Sequence, residues 1–252
     1  MSLFEELIED KELDQKIVKS FKIKDNLSKD VFEMKDDEYL MHNDVRNKLL
    51  KITDNFMDFL GVEFFIHDIV LTGSLSNFNW SEFSDVDLHI LIDFEDTKYN
   101  TKLLKEFFDS KKGLWNEQHN IKIKGYDVEL YVQDINEPHV SSGVYSILNN
   151  KWDVKPEKNT SNIDDRKIIE KGEEYANLID DVIRNSKKND VSNKIDSIKN
   201  KIKKFRQCGL ESGGEYSYEN LTFKLLRRNG YMKKLLDLKT KTTDKKLSIT
   251  QQ

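Results

Sequence analysis

A single cysteine, Cys208, excludes an intramolecular disulfide and fits a reducing compartment. Only two prolines occur, Pro138 and Pro156, and both fall in polar stretches that read as breaks between elements. No apolar run approaches the length that spans a bilayer. The first ten residues, MSLFEELIED, are acidic and helical in pattern, the opposite of a secretory signal. A cytoplasmic protein without membrane partners is therefore expected. No internal repeat is visible, and His139 has no second His or Cys at metal-ligand spacing.

What the chain has in quantity is charge. Charged residues make up 35% and hydrophobic ones 37%, so a heavily charged surface must cover one large or two small cores. The charge is uneven. Residues 184–252 hold 18 Lys or Arg against 7 Asp or Glu, a surplus of +11 that leaves −16 on residues 1–183 of a chain with net charge −5. An acidic half followed by a basic half suits a polyanionic substrate. Lysine-rich helices that are merely solvated are the alternative.

The organising stretch runs from Leu71 to Asp93, LTGSLSNFNWSEFSDVDLHILID. The apolar run Ile69-Val70-Leu71 reads as a buried strand ending in the tight turn Thr72-Gly73-Ser74, where glycine lets the backbone approach a ligand. Asp85-Val86-Asp87 follows and opens a second apolar run, Leu88 to Ile92. Strand alternation turns Asp85 and Asp87 to one side and Val86 and Leu88 to the other. Two neighbouring carboxylates repel unless a cation lies between them, and hard oxygen donors suit magnesium. A third strand, IKIKGYDVELYV, covers residues 121–132 as a hairpin pivoting near Gly125. Its alternation puts Asp127 and Glu129 on one face, and spacing does not choose between them.

A Gly-Ser turn, an Asp-x-Asp strand about ten residues on and a carboxylate on a later strand together resemble the nucleotidyltransferase superfamily of the DNA polymerase β type, over roughly residues 60–135. The resemblance implies an α+β fold: a mixed sheet flanked by helices, with a C-terminal helical domain. It implies a short helix starting at Gly73-Ser74, whose N–H groups and Ser74 hydroxyl meet the triphosphate of a nucleoside triphosphate. Two Mg²⁺ ions on Asp85, Asp87 and a third carboxylate would serve transfer of the nucleotidyl group to an acceptor hydroxyl, for which an RNA 3′ end held by the basic half is one candidate. A small molecule, a protein side chain, or simple nucleotide binding without catalysis are the alternatives. The family's third carboxylate is usually followed by apolar residues. Glu129-Leu-Tyr-Val fits this better than Asp127-Val-Glu, although glutamate there is a departure from the commoner aspartate. A narrower likeness, to nucleotidyltransferase-like proteins of tailed bacteriophages, rests on GLESGGEYSYENLTFKLLRRNGYMKKLLDL and VELYVQDINEPH.

Around this core, residues 1–60 read as N-terminal helices packing on it, with 21–36 a polar linker or loop and Val45, Leu49, Ile52 and Phe56 marking an amphipathic helix capped by Gly61. Residues 61–152 are the catalytic core and 153–164 a linker. Residues 153–240 carry the helical domain, in three helices with a kink or split expected at Gly230, and 241–252 read as a disordered tail. Trp80 and Phe83 read as loop anchors. Tyr145 and Lys151 are candidates for stacking on a base and for meeting phosphates, with packing on the sheet as the alternative. Lys224, Arg227 and Arg228 either guide a polyanion or form the wet face of a packing helix.

Overall fold

The computed structural model describes residues 3–137, 141–158, 163–186 and 190–249, with side chains from residue 11 onward. The chain opens with helix α1 (Leu3–Lys19), then a hairpin of two short strands, β1 (Phe32–Lys35) and β2 (Glu38–Met41). The loop residues Asp36 and Asp37 have φ of 49° and 61°, the left-handed pair that a two-residue hairpin turn requires. Helix α2 (Asn43–Leu60) buries Val45, Leu49, Ile52, Phe56 and Leu60 along one stripe. It ends at Gly61, φ 69°, whose N–H donates to the Asp58 carbonyl.

The remaining strands are β3 (Asp68–Thr72), β4 (Val86–Ile92), β5 (Lys122–Ile123), β6 (Tyr126–Asp134), β7 (Val144–Ser146) and β8 (Lys151–Val154), with helix α3 (Thr101–Gln118) between β4 and β5. They form one six-stranded sheet in the order β5-β6-β4-β3-β7-β8. β4 and β6 are parallel and every other neighbouring pair is antiparallel, so the sheet is mixed. The crossover between the parallel pair contains α3, which is started by the Asn100 side chain accepting from the Leu103 N–H.

Alternation along β4 decides how this sheet is used. Val86, Leu88, Ile90 and Ile92 are buried in one cluster with Leu71, Leu130, Phe56, Phe108 and Trp115, uniting α2 and α3 with one sheet face. Each fully buried side chain of this kind contributes roughly 1.5–3 kcal/mol. Asp87 and His89 occupy the intervening positions, are only half-buried, and face the other way.

Four further helices follow: α4 (Asp165–Arg184), α5 (Val191–Gly213), α6 (Tyr218–Arg228) and α7 (Tyr231–Leu247). Their core is Tyr175, Ile179, Val182, Ile195, Ile202, Leu226 and Leu235. Gly172 lets the Leu225 side chain of α6 pack directly on α4, where a Cβ would lie 2.7 Å from Leu225 Cδ2. Gly230, φ 84°, separates α6 from α7, the split that its position suggests. The whole is a mixed α+β structure with seven α-helices among the described residues. None of them is long and apolar enough to cross a membrane.

The chain divides into two units, residues 23–159 and residues 1–22 with 160–252. This corrects the expected N-terminal element 1–60. α2 belongs with the sheet, but α1 belongs with the C-terminal helices: Asn229 Nδ2 donates to Asp14 Oδ1 at 2.9 Å and Arg228 Nη1 to Ser20 Oγ at 3.0 Å. An amphipathic stripe demands a partner without naming one, and the partner here is distant in sequence. Residues 21–36 are also more ordered than a linker, since Leu27, Val31 and Phe32 are buried. The supposed tail is helical as far as Leu247, and 250–252 lie outside the described residues. So do 159–162 of the supposed linker and His139.

Candidate functional site

The turn after β3 is built by its own polar side chains. Gly73 takes φ 72° and ψ −156°, followed by a 3₁₀ turn at Ser74–Ser76, shorter than the helix the resemblance implies. Asn77 Nδ2 donates to the Gly73 carbonyl at 2.7 Å, and Ser142 Oγ donates to Asn77 Oδ1 at 2.8 Å. Ser76 Oγ stands 2.9 Å and 2.8 Å from the carbonyls of Gly73 and Gly143, which share its one proton. The Ser74 hydroxyl donates to Ser84 Oγ at 2.8 Å, so here it closes the loop that leads into β4. Trp80 does anchor this loop, donating from Nε1 to the Asn26 carbonyl at 2.8 Å.

The loop delivers Asp85 and Asp87 beside β6. The parallel register pairs Asp87 with Glu129 and His89 with Tyr131, while β3 places Thr72 opposite Asp87. One carboxylate oxygen from each of Asp85, Asp87 and Glu129 lies within 4.8 Å of the others, and all three residues are half-buried. Asp127 is not in this group. It is exposed, across the hairpin from Lys122, whose Nζ is 2.5 Å from its Oδ1. Alternation alone could not separate Asp127 from Glu129; the β4–β6 register does.

Gly73 completes the site from the backbone side. A Cβ at this position would lie 1.8 Å from Asp87 Oδ2, a distance no side chain tolerates. Asp87 therefore presses against bare main chain at the Gly-Ser corner.

At 4.8 Å, the largest separation within the group, two unit charges repel by about 3.5 kcal/mol at an effective dielectric of about 20, less whatever solvent screens. Hard divalent cations match such an all-oxygen donor set. The surroundings respond to the same field. Burial raises the pKa of the Tyr131 hydroxyl, reinforced by its hydrogen bond to Glu129 and by the charges of Glu129, Asp87 and Asp85.

Compared with known proteins, the chain matches no family model, no curated protein and no solved structure. Its chemistry must therefore be read from the geometry of the carboxylate group.

The other candidates fare differently. Tyr145 is fully buried, accepts from the Met41 N–H at 3.2 Å and donates to Asn150 Oδ1 at 3.0 Å, with Phe32 and Trp152 edge-on to its ring. It is core and cannot stack on a base. Lys151 is exposed on β8, 4.0 Å from Asp153. Lys224 pairs with Glu215 at 2.9 Å, and Arg228 lies over the Phe21 ring at 5.1 Å, so these two serve packing within the helical unit. The basic character lies instead in α5 and α7, each with six Lys or Arg against two Asp or Glu.

Sequence reasoning missed Tyr131, His89 and Lys112. The signal for Tyr131 was its i+2 spacing from Glu129 on a strand. Nothing in the sequence marks Lys112, which reaches the Tyr131 ring from α3 at 4.4 Å. A second mixed group, His67, Asp93 and Asp96, sits at the opposite end of β3 and β4 beside a cavity of about 430 Å³. His67 and Asp96 are exposed and Asp93 is half-buried.

Proposed function

We propose that the protein is a metal-dependent nucleotidyltransferase of the polymerase β-like type. The observation that carries this reading is the register: Asp87 and Glu129 stand side by side on parallel strands, with Asp85 within reach and the Gly73 backbone packed on Asp87. The expected signature order and the sheet that presents it both support the reading.

Asp85, Asp87 and Glu129 would hold the pair of Mg²⁺ ions. Once bound, such ions neutralise phosphate charge and activate the acceptor hydroxyl. The protein's own part is positioning. The strand pair fixes the carboxylates at short range, and Gly73, lacking a side chain, leaves room for the Asp87 carboxylate against the main chain. In the reaction the acceptor oxygen bonds to the α-phosphorus, the bond to pyrophosphate breaks and the hydroxyl proton leaves to solvent. Catalysis of this kind depends on orientation and charge neutralisation more than on covalent chemistry.

An RNA 3′ end is the acceptor that the lysines of α5 and α7 favour. The single, exposed Cys208 agrees with work in a reducing cytoplasm. The deciding experiment incubates the protein with labelled nucleoside triphosphates, Mg²⁺ and pools of RNA, protein or metabolites. Label transfer to one pool that disappears in Asp87→Asn supports the assignment; no transfer to any pool defeats it.

A further inference from the structure

Glu129 is the longest of the three carboxylate side chains, with one more rotatable bond than Asp85 or Asp87. A longer side chain loses more freedom when held at one place, so the third carboxylate needs an anchor that the aspartates do not. The structure supplies one on the next rung. The Tyr131 hydroxyl donates to Glu129 Oε2 at 2.5 Å. Its ring is itself held: it stacks on His89, centroids 4.8 Å apart at 22°, and Lys112 Nζ stands 4.4 Å from its centroid. His89 is fixed in turn by Gln133, with Nδ1 2.8 Å from Gln133 Oε1. Tyr131, His89 and Gln133 lie on successive rungs of the β4–β6 ladder just beyond the Asp87–Glu129 pair, and Lys112 reaches in from α3.

We infer that Tyr131 is a positioning residue for the third carboxylate: through its hydroxyl it holds Glu129 beside Asp85 and Asp87 in the arrangement that binds a divalent cation. The inference rests on the metal-dependent reading proposed above. It also accounts for the glutamate in place of aspartate, because a tyrosine two residues along the strand reaches back to a glutamate that would otherwise swing. Partners that orient a metal ligand in this way are worth a factor of roughly 10–100 in metal affinity.

The test is Mn²⁺ binding by the full-length chain, followed by electron paramagnetic resonance and calorimetry, in the wild type, Tyr131→Phe, Glu129→Gln, the double variant and Asp87→Asn. Phenylalanine keeps the ring between its neighbours and removes only the donor. Tyr131→Phe should weaken Mn²⁺ binding by roughly 10–100-fold and have no further effect in the Glu129→Gln background, because a residue acting through Glu129 loses its influence once that carboxylate is gone. Equal weakening in both backgrounds would overturn the inference. So would unchanged affinity in Tyr131→Phe while Asp87→Asn abolishes binding, an outcome that leaves the metal site standing. Binding that survives Asp87→Asn removes the site itself, and the role of Tyr131 with it.

Discussion

Gly73 and Asp87 are packed so closely that a methyl group on the first would stand 1.8 Å from a carboxylate oxygen of the second. The contact joins the end of β3 to the start of β4, and it fixes where one negative charge sits relative to a turn of bare main chain. Gly73 also needs φ 72°, which side chains of L-residues rarely adopt.

Gly73→Ala should consequently displace Asp87. The positive φ with extended ψ, a combination adopted essentially by glycine alone, costs about 1–3 kcal/mol for any other residue, and the clash adds to it. Mn²⁺ binding should be lost and the melting temperature lowered. An alanine variant that binds Mn²⁺ like the wild type would show that the corner is not part of the site.

Asp85→Asn and Asp87→Asn should abolish nucleotide transfer while leaving the metal-free melting temperature unchanged or slightly raised, because each removes one member of a repelling group. Added Mg²⁺ should raise the melting temperature of the wild type through binding to the folded state, and of neither variant. Thermal melts with and without Mg²⁺ read this directly.

Asp127→Asn should leave transfer activity near the wild-type level. Its partner is Lys122 on an exposed hairpin, and a surface pair of that kind contributes about 0.2–1 kcal/mol. Loss of activity on the scale of Asp87→Asn would mean that Asp127, not Glu129, completes the site.

Tyr145→Phe separates core from ligand pocket. It leaves the buried Met41 N–H without its acceptor, at a cost of about 1–3 kcal/mol, and should not change nucleotide affinity. Denaturant unfolding and a nucleotide titration give the two readings.

RNA binding, if it occurs on α5 and α7, should weaken steeply with salt. Replacing the exposed Lys203, Lys204, Lys241 and Lys245 by Gln should flatten the log–log salt dependence by about 0.7 for each phosphate no longer neutralised. A flat salt response in the wild type would point to a small-molecule acceptor instead.

The parts of this architecture that depend on local pattern were legible beforehand. Asp87 faces away from Val86 and Leu88 because strands alternate, although Asp85 lies in the loop just before β4. Helix α2 shows its stripe and its glycine stop, and Gly125 marks a hairpin. What depends on pairing was not. Asp127 and Glu129 are equivalent by alternation, and only the parallel alignment of β6 with β4 separates them. Strands β1, β2, β7 and β8 are three or four residues long, too short for a period to register. Tyr145 looked available for stacking because its spacing says nothing of the Phe32 and Trp152 rings that enclose it.

The allegiance of α1 has a consequence for synthesis. The sheet unit is an uninterrupted segment, residues 23–159, inserted between the first helix and the other four. During translation the sheet can finish folding as soon as its last strand has left the ribosome. Helix α1, although made before the sheet, must wait with its apolar side uncovered until the helices after the sheet arrive, so of the two units the one begun earlier is completed later.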